Sequence, residues 1–263
     1  MPICSLCGNL LFMMIMLAIT SLYFVISGLQ FWVTAYLVTV IAAPQNEVFT
    51  FYTLMCLISP TLGFSLSIIL FNCIGGYGSR GALGLCLLVS ALGLLFSIAM
   101  PRANLQSIVF CLLSLVYFFN SLVMAPLTGV MLQTVPQEGR AAANSLANLC
   151  YNVLGYGLAP LLFGVVADSH QDGEAANPIE SMRFAMKILM IWSLFVFSFL
   201  MIATLVKLKR DAIEGDDYLK LGVAGNDENL NQINRGIKSN HLPKELQVLQ
   251  PEDALSSHIG CES

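Results

Sequence analysis

Charge is what this sequence lacks first. Only 11% of its 263 residues are Asp, Glu, Lys or Arg, against roughly 25% in a soluble globular domain. Before Asp168 the charged side chains are Glu47, Arg80, Arg102, Glu138 and Arg140, and no others. Two-thirds of the chain therefore has too little charge to clothe a water-soluble surface. Histidine is scarce as well. His170, His241 and His258 stand apart from any paired carboxylate or nucleophile, and no HExxH, GxSxG or dinucleotide fingerprint occurs. An enzymatic role is not expected, nor is a metal site or a cofactor. No basic patch with interleaved aromatics exists, which argues against nucleic acid as a partner. The apolar runs also hold no Asp or Glu, the usual proton carriers of membrane pumps.

What is there is apolar: 57% of the residues. The few charges punctuate long runs, and each run is long enough to cross a bilayer, which takes about 20 residues at ~1.5 Å each. Six spans emerge, at about 9–41, 48–74, 81–100, 105–131, 141–167 and 184–206. The fold class is all-α: a polytopic six-transmembrane-helix bundle over 1–207, with membrane lipid as its surroundings. Residues 208–263 read as a disordered cytosolic tail, because residues 211–263 hold ten acids, four bases and few aromatics. The first run is no signal peptide, since no Lys or Arg precedes it and it far exceeds the usual ~7–15 apolar residues.

Within the spans, irregular residues mark places of interest. The first is long enough to tilt, protrude or break, and Gly28-Leu29-Gln30 is the expected break. Trp32 and Tyr36 alternatively suit the headgroup level. Pro60 sits mid-span in the second run, where proline commonly kinks a helix. The third span is Leu-rich and reads as lipid-facing. Asn120 at the centre of the fourth suits either helix-to-helix bonding or solute contact. Lys187 lies one turn into the sixth and can snorkel outward.

The stretch Thr134–Asp168 is the most informative. After the polar elbow of Pro136, Glu138 and Arg140 it carries no charge until Asp168. Asn144, Asn148, Tyr151, Asn152 and Gly155 recur there at steps of three and four, which places a polar or small stripe on one helical face. Lipid offers amides no partner, so such a stripe must face protein or water. With Gln30, Thr34, Tyr36, Tyr117 and Asn120 it suits a cavity that takes an amphipathic solute by hydrogen bonds and aromatic contact. Interhelical packing is the alternative for each. The eight cysteines need not pair. Cys56, Cys73, Cys86, Cys111 and Cys150 read as packing residues, while Cys4 and Cys7 form a CxxC without a second ligand pair. Placing Arg80, Arg140, Lys207, Lys209 and Arg210 inside and Arg102, Arg183 and Lys187 outside gives a modest positive-inside bias, with both termini cytosolic. Tyr218-Leu219-Lys220-Leu221 has the spacing of a tyrosine-based sorting signal. Plasma membrane and endolysosomal membrane both remain open.

These residues resemble the carboxyl-terminal half of a major facilitator superfamily transporter. The elbow Val135-Pro136 with Arg140 is similar to the cytosolic connection before the eleventh helix of many members. The run Gly155-x4-Pro160-x3-Gly164-x3-Asp168 resembles the eleventh helix of spinster-like transporters, and its Pro-Gly-Asp part that of organic-anion transporters. The first span, with Gly28, Trp32 and Tyr36-Leu37, is similar to a seventh helix that bends at its outer end. The resemblance implies solute transport by alternating access between two six-helix halves, with a small organic or lipid-like substrate. It implies that spans one, two, four and five face a second half, supplied by a missing amino-terminal half, another chain or a homodimer partner. Gly28, Pro60, Gly155, Pro160 and Gly164 become candidate bending positions, and Arg80, Glu138 and Arg140 the cytosolic loop set. Two departures stand out. Tyr156 occupies a position where spinster-like sequences often carry an acid, and Gly75–Arg80 keeps glycines and an arginine but lacks the loop acid. A membrane scaffold or regulator that binds a full transporter is the rival function.

Overall fold

The computed structural model describes residue 6 and residues 8–79, 81–169 and 178–213. Arg80, the Cys4–Cys7 pair, the loop from His170 to Asn177, the Tyr218–Leu221 signal and the rest of the tail lie outside the described residues. The chain divides into units 1–210 and 211–263, and the membrane bundle is the first of these.

Among the described residues, six helices are long and apolar enough to cross a membrane. They are α1 (Leu10–Thr39), α2 (Gln45–Cys73), α3 (Ala82–Ala99), α4 (Gln106–Gln133), α5 (Gln137–Ser169) and α6 (Pro178–Ile213). A 3-10 turn, Met100–Arg102, closes α3. No strand occurs among the described residues.

The bundle is arranged around α1. Its apolar window is 72% buried, against 39% or less for every other helix. It runs unbroken through Gly28, contrary to the expected break there. Gly28 removes no backbone donor, so it can stay helical at a cost of about 1 kcal/mol. Its missing side chain serves packing instead: a Cβ there would collide with the Leu189 side chain of α6. Asn9 starts α1 by accepting from the Phe12 N–H at 3.4 Å, and its amide donates to Thr134 O at 3.0 Å, which ties α1 to the end of α4. At the far end Ala43 N–H reaches back to Leu37 O (3.1 Å) around Ala42, at φ 53°. Ala42 thus holds a left-handed conformation usually taken by glycine.

The α2–α4 seam is built from small residues. Ser59, Gly63 and Ser67 are buried at four-residue spacing on α2, and a Cβ on Gly63 would lie 2.6 Å from Phe118 O of α4. Without a hydrophobic drive between helices in lipid, such close approach supplies the dispersion contacts. The helix continues through Pro60.

Polar bonds join the helix ends. Lys207 Nζ donates to Ser79 O (3.0 Å) at the same end of the bundle as the Asn9–Thr134 bond. At the other end, Gln106 Nε2 donates to Glu47 (2.7 Å) and Arg183 to Asn104 Oδ1 (2.7 Å). Successive helices thus alternate in direction. The molecule is an integral multi-pass membrane bundle.

Candidate functional site

The α5 helix holds the feature on which the site turns. It is α-helical over Arg140–Cys150, π-helical over Tyr151–Gly157 and α-helical again over Leu158–Ser169. Each residue of the wider π turn advances less around the axis than an α residue, and such turns concentrate at functional sites. Periodicity counted at 3.6 residues therefore fails beyond Tyr151. Gly155, expected on the asparagine stripe, is buried against α1, where its Cβ would lie 2.8 Å from Tyr23 Cβ and 3.0 Å from Thr20 O. In exchange Tyr156 comes round beside Tyr23.

A small aromatic group results. Tyr23 stacks on Tyr151 with centroids 4.4 Å apart and lies 5.1 Å from Tyr156. Tyr151 OH donates to Asn148 Oδ1. Asn148 in turn donates to Asn144 O at 2.9 Å and Asn152 to Asn148 O at 2.8 Å. Asn144 and Asn152 are exposed, and Asn148 and Tyr151 are partly buried. An asparagine side chain carries two N–H donors and a two-lone-pair acceptor. After these bonds Asn148 and Asn152 each retain a donor, and Asn152 retains its carbonyl. The face can bind a polar group without moving.

Two bonds from α1 hold this unusual segment in place. The α-helical donor to Tyr156 O would be the N–H of residue 160, which proline lacks. Ser27 Oγ supplies a replacement, donating to Tyr156 O at 3.0 Å. Trp32 Nε1 donates to Pro160 O at 3.1 Å, and its ring stacks on Phe163 at 4.9 Å. Gly164 leaves room for the indole, with its Cβ position 3.6 Å from Trp32 Cζ2. Trp32 is thus a tie between α1 and α5. Tyr36 is also interior, fully buried with its hydroxyl unpartnered among the described residues.

The other expected cavity residues scatter. Tyr117 is 3% exposed, its hydroxyl unpartnered among the described residues. Asn120 is half-buried against α3, with Oδ1 3.9 Å from the Gly93 Cβ position and its amide nitrogen unpartnered. Gln30 is exposed and its backbone carbonyl accepts from Tyr52 OH at 3.2 Å. Glu138 lies in an exposed 3-10 turn, and Arg140 Nε donates to Val135 O at 3.4 Å. The structure therefore brings Asn144, Asn148, Tyr151 and Asn152 together. It adds Tyr23, Tyr156 and Ser27, which residue spacing does not pick out. The π turn carries Tyr156 to its place, Tyr23 and Ser27 come from α1, and nothing in the sequence pattern announces either.

A separate cavity of about 220 Å³ lies between α1, α5 and α6, lined by residues such as Phe24, Phe163, Leu189 and Trp192. Its lining is apolar throughout and offers no group to orient a solute. Among the described residues no group of three or more His, Cys, Asp or Glu is placed to hold a metal.

No family model matches the sequence, and no curated protein matches it. Among solved structures the chain is similar to a bacterial homologue of the human lysosomal transporter Spinster, in an inward-facing, unoccupied conformation. The TM-score is 0.63 at 16% identity, over 76% of this chain and 48% of that one. The likeness is one of fold. The chain spans about half the length of that transporter, and its six helices reproduce part of that transporter's fold.

Proposed function

We propose that this chain forms one six-helix half of an alternating-access transporter for a small organic or lipid-like solute. The observation that carries the reading is the exposed amide and tyrosine face of α5. Its unspent donors and acceptors call for water, solute or protein rather than hydrocarbon. The fold likeness to half of a Spinster-type transporter supports transport in general. A second half opposite α5 would turn this face into one wall of a closed path. Asn148 and Asn152 then bind the polar part of the solute, and Tyr23, Tyr151 and Tyr156 its apolar part. Gly155 and Gly28 allow α1 to lie close enough to α5 and α6 for the three to move as a body. Both termini are assigned to the cytosol, on the side of Arg140, Lys207, Lys209 and Arg210.

The test is uptake of single-chain lipids and amphipathic organic anions by cells expressing the protein, with and without Asn148→Leu and Asn152→Leu together. Loss of uptake by a well-inserted double variant supports the site. Uptake that survives reduces the stripe to packing, and an absence of uptake in the parent favours a scaffold. A tail antibody applied to native membranes reports whether the partner half is covalent. A covalent half predicts a band near twice 28.6 kDa.

A further inference from the structure

A second constellation lies away from α5, at the end of the bundle where α3 meets α6. Arg102 closes the 3-10 turn after α3. Lys187 and Ile191 are four residues apart on α6. With Ile98, Pro101 and Met190 the two cations border a groove of about 50 Å³. Arg102 donates to Ile98 O, leaving the rest of its guanidinium donors unspent. Lys187 is exposed and has no hydrogen-bond partner among the described residues.

Their depth is set by the sequence. The uncharged run from Ile188 to Val206 spans about 28 Å at ~1.5 Å per residue, close to the ~30 Å hydrocarbon thickness. Lys187 thus stands at its border. Arg102 likewise follows directly on the uncharged run from Gly81 to Pro101. Both cations occupy the level at which phospholipid phosphates lie. The neighbouring charges leave the pair available: Arg183, one turn earlier on α6, is bonded to Asn104, and Glu47 accepts from Gln106. The exposed acid Glu180 is two turns before Lys187, about 10 Å along the helix. Below the cations the exposed apolar side chain of Ile191 lines the groove, and Leu95, about one turn before Ile98 on α3, is exposed as well.

We propose that Arg102 and Lys187 bind the phosphate of an anionic phospholipid, whose acyl chain lies along the α3–α6 groove past Ile98 and Ile191. Charge selects the headgroup, since two cations face it and no acid lines the groove among the described residues. The apolar walls below select a chain rather than free phosphate. The site is independent of the solute path and stands whether or not the chain transports anything.

Native mass spectrometry of the purified full chain, titrated in micelles with phosphatidylglycerol or phosphatidylcholine, tests it. The parent protein is expected to retain one phosphatidylglycerol in preference to phosphatidylcholine. Together R102Q and K187Q weaken that binding roughly 30-fold, about fivefold per cation, while R102K with K187R preserves it. Equal retention of the two lipids by the parent overturns the proposal. So does unchanged phosphatidylglycerol binding in the glutamine variant. Should that pair fail to fold, K187Q alone changes an exposed side chain and must still lose about fivefold.

Discussion

The two least buried helices, α2 and α5, present opposite kinds of surface. Their apolar windows are 28% and 17% buried. On α2 the exposed hydroxyls are spent within the helix. Thr50, Thr53, Thr61 and Ser65 each donate to the carbonyl four residues earlier, at 2.6–2.9 Å. Leu57, Leu62 and Ile69 cover the rest, each more than half exposed. Such a face suits hydrocarbon. On α5 the amides also bond backward, but each keeps donors or acceptors that one bond cannot exhaust. Exposure alone does not mark a site; exposed polarity left over after local bonding does.

The comparison can be broken at four places. The largest effect is expected at the close contacts. Gly63→Leu must push against Phe118 O and Ser121 of α4, destabilising the α2–α4 seam by more than about 3 kcal/mol. A sharp fall in melting temperature in detergent checks it, and Gly155→Leu should behave alike against Tyr23. Next, the Asn148→Leu and Asn152→Leu pair should lower uptake at least about tenfold, with melting temperature held or raised. Retained uptake would erase the distinction drawn between the two faces. Third, Ser27→Ala should cost about 0.6–1.7 kcal/mol by orphaning Tyr156 O. In a Pro160→Ala background, which restores the helical N–H, that cost should shrink toward zero. A double-mutant cycle reads the difference. The smallest effect belongs to α2: Thr61→Val should stay within about 0.5 kcal/mol and leave uptake untouched.

Much of this is legible in the sequence. The five runs punctuated by Glu47, Arg80, Arg102, Glu138 and Arg140, and a sixth before Lys207, become six helices, because a span needs only length and little charge. The fold class follows from them. The asparagines at 144 and 148 are legible for the same reason, lying in plain α-helix where the 3.6 period holds, and Asn152 stands only one residue into the π turn. Beyond Tyr151 that period changes, so Tyr156 escapes it, and Tyr23 stands on another helix that no spacing along α5 reveals. The break expected at Gly28 fails because glycine's lack of a side chain is used by Leu189, a partner 161 positions away that no local pattern reveals. Trp32 reads by residue type as an interfacial ring, and its bond to the carbonyl of Pro160, 128 positions away, is equally invisible to a local pattern.

If the two faces differ as described, α5 meets protein or water while α2 meets lipid, a departure from the expectation that the second span also faces a second half. Nitroxide labels at residues 152 and 62, each in a background without the eight native cysteines, test this directly in reconstituted membranes. Collision rates with oxygen and with a water-soluble nickel complex separate lipid from aqueous or protein-covered surroundings. Oxygen-dominated collisions are expected at 62, and at 152 either nickel access or low access to both. Oxygen-dominated collisions at both positions would place Asn152 in hydrocarbon and contradict the assignment of the α5 face.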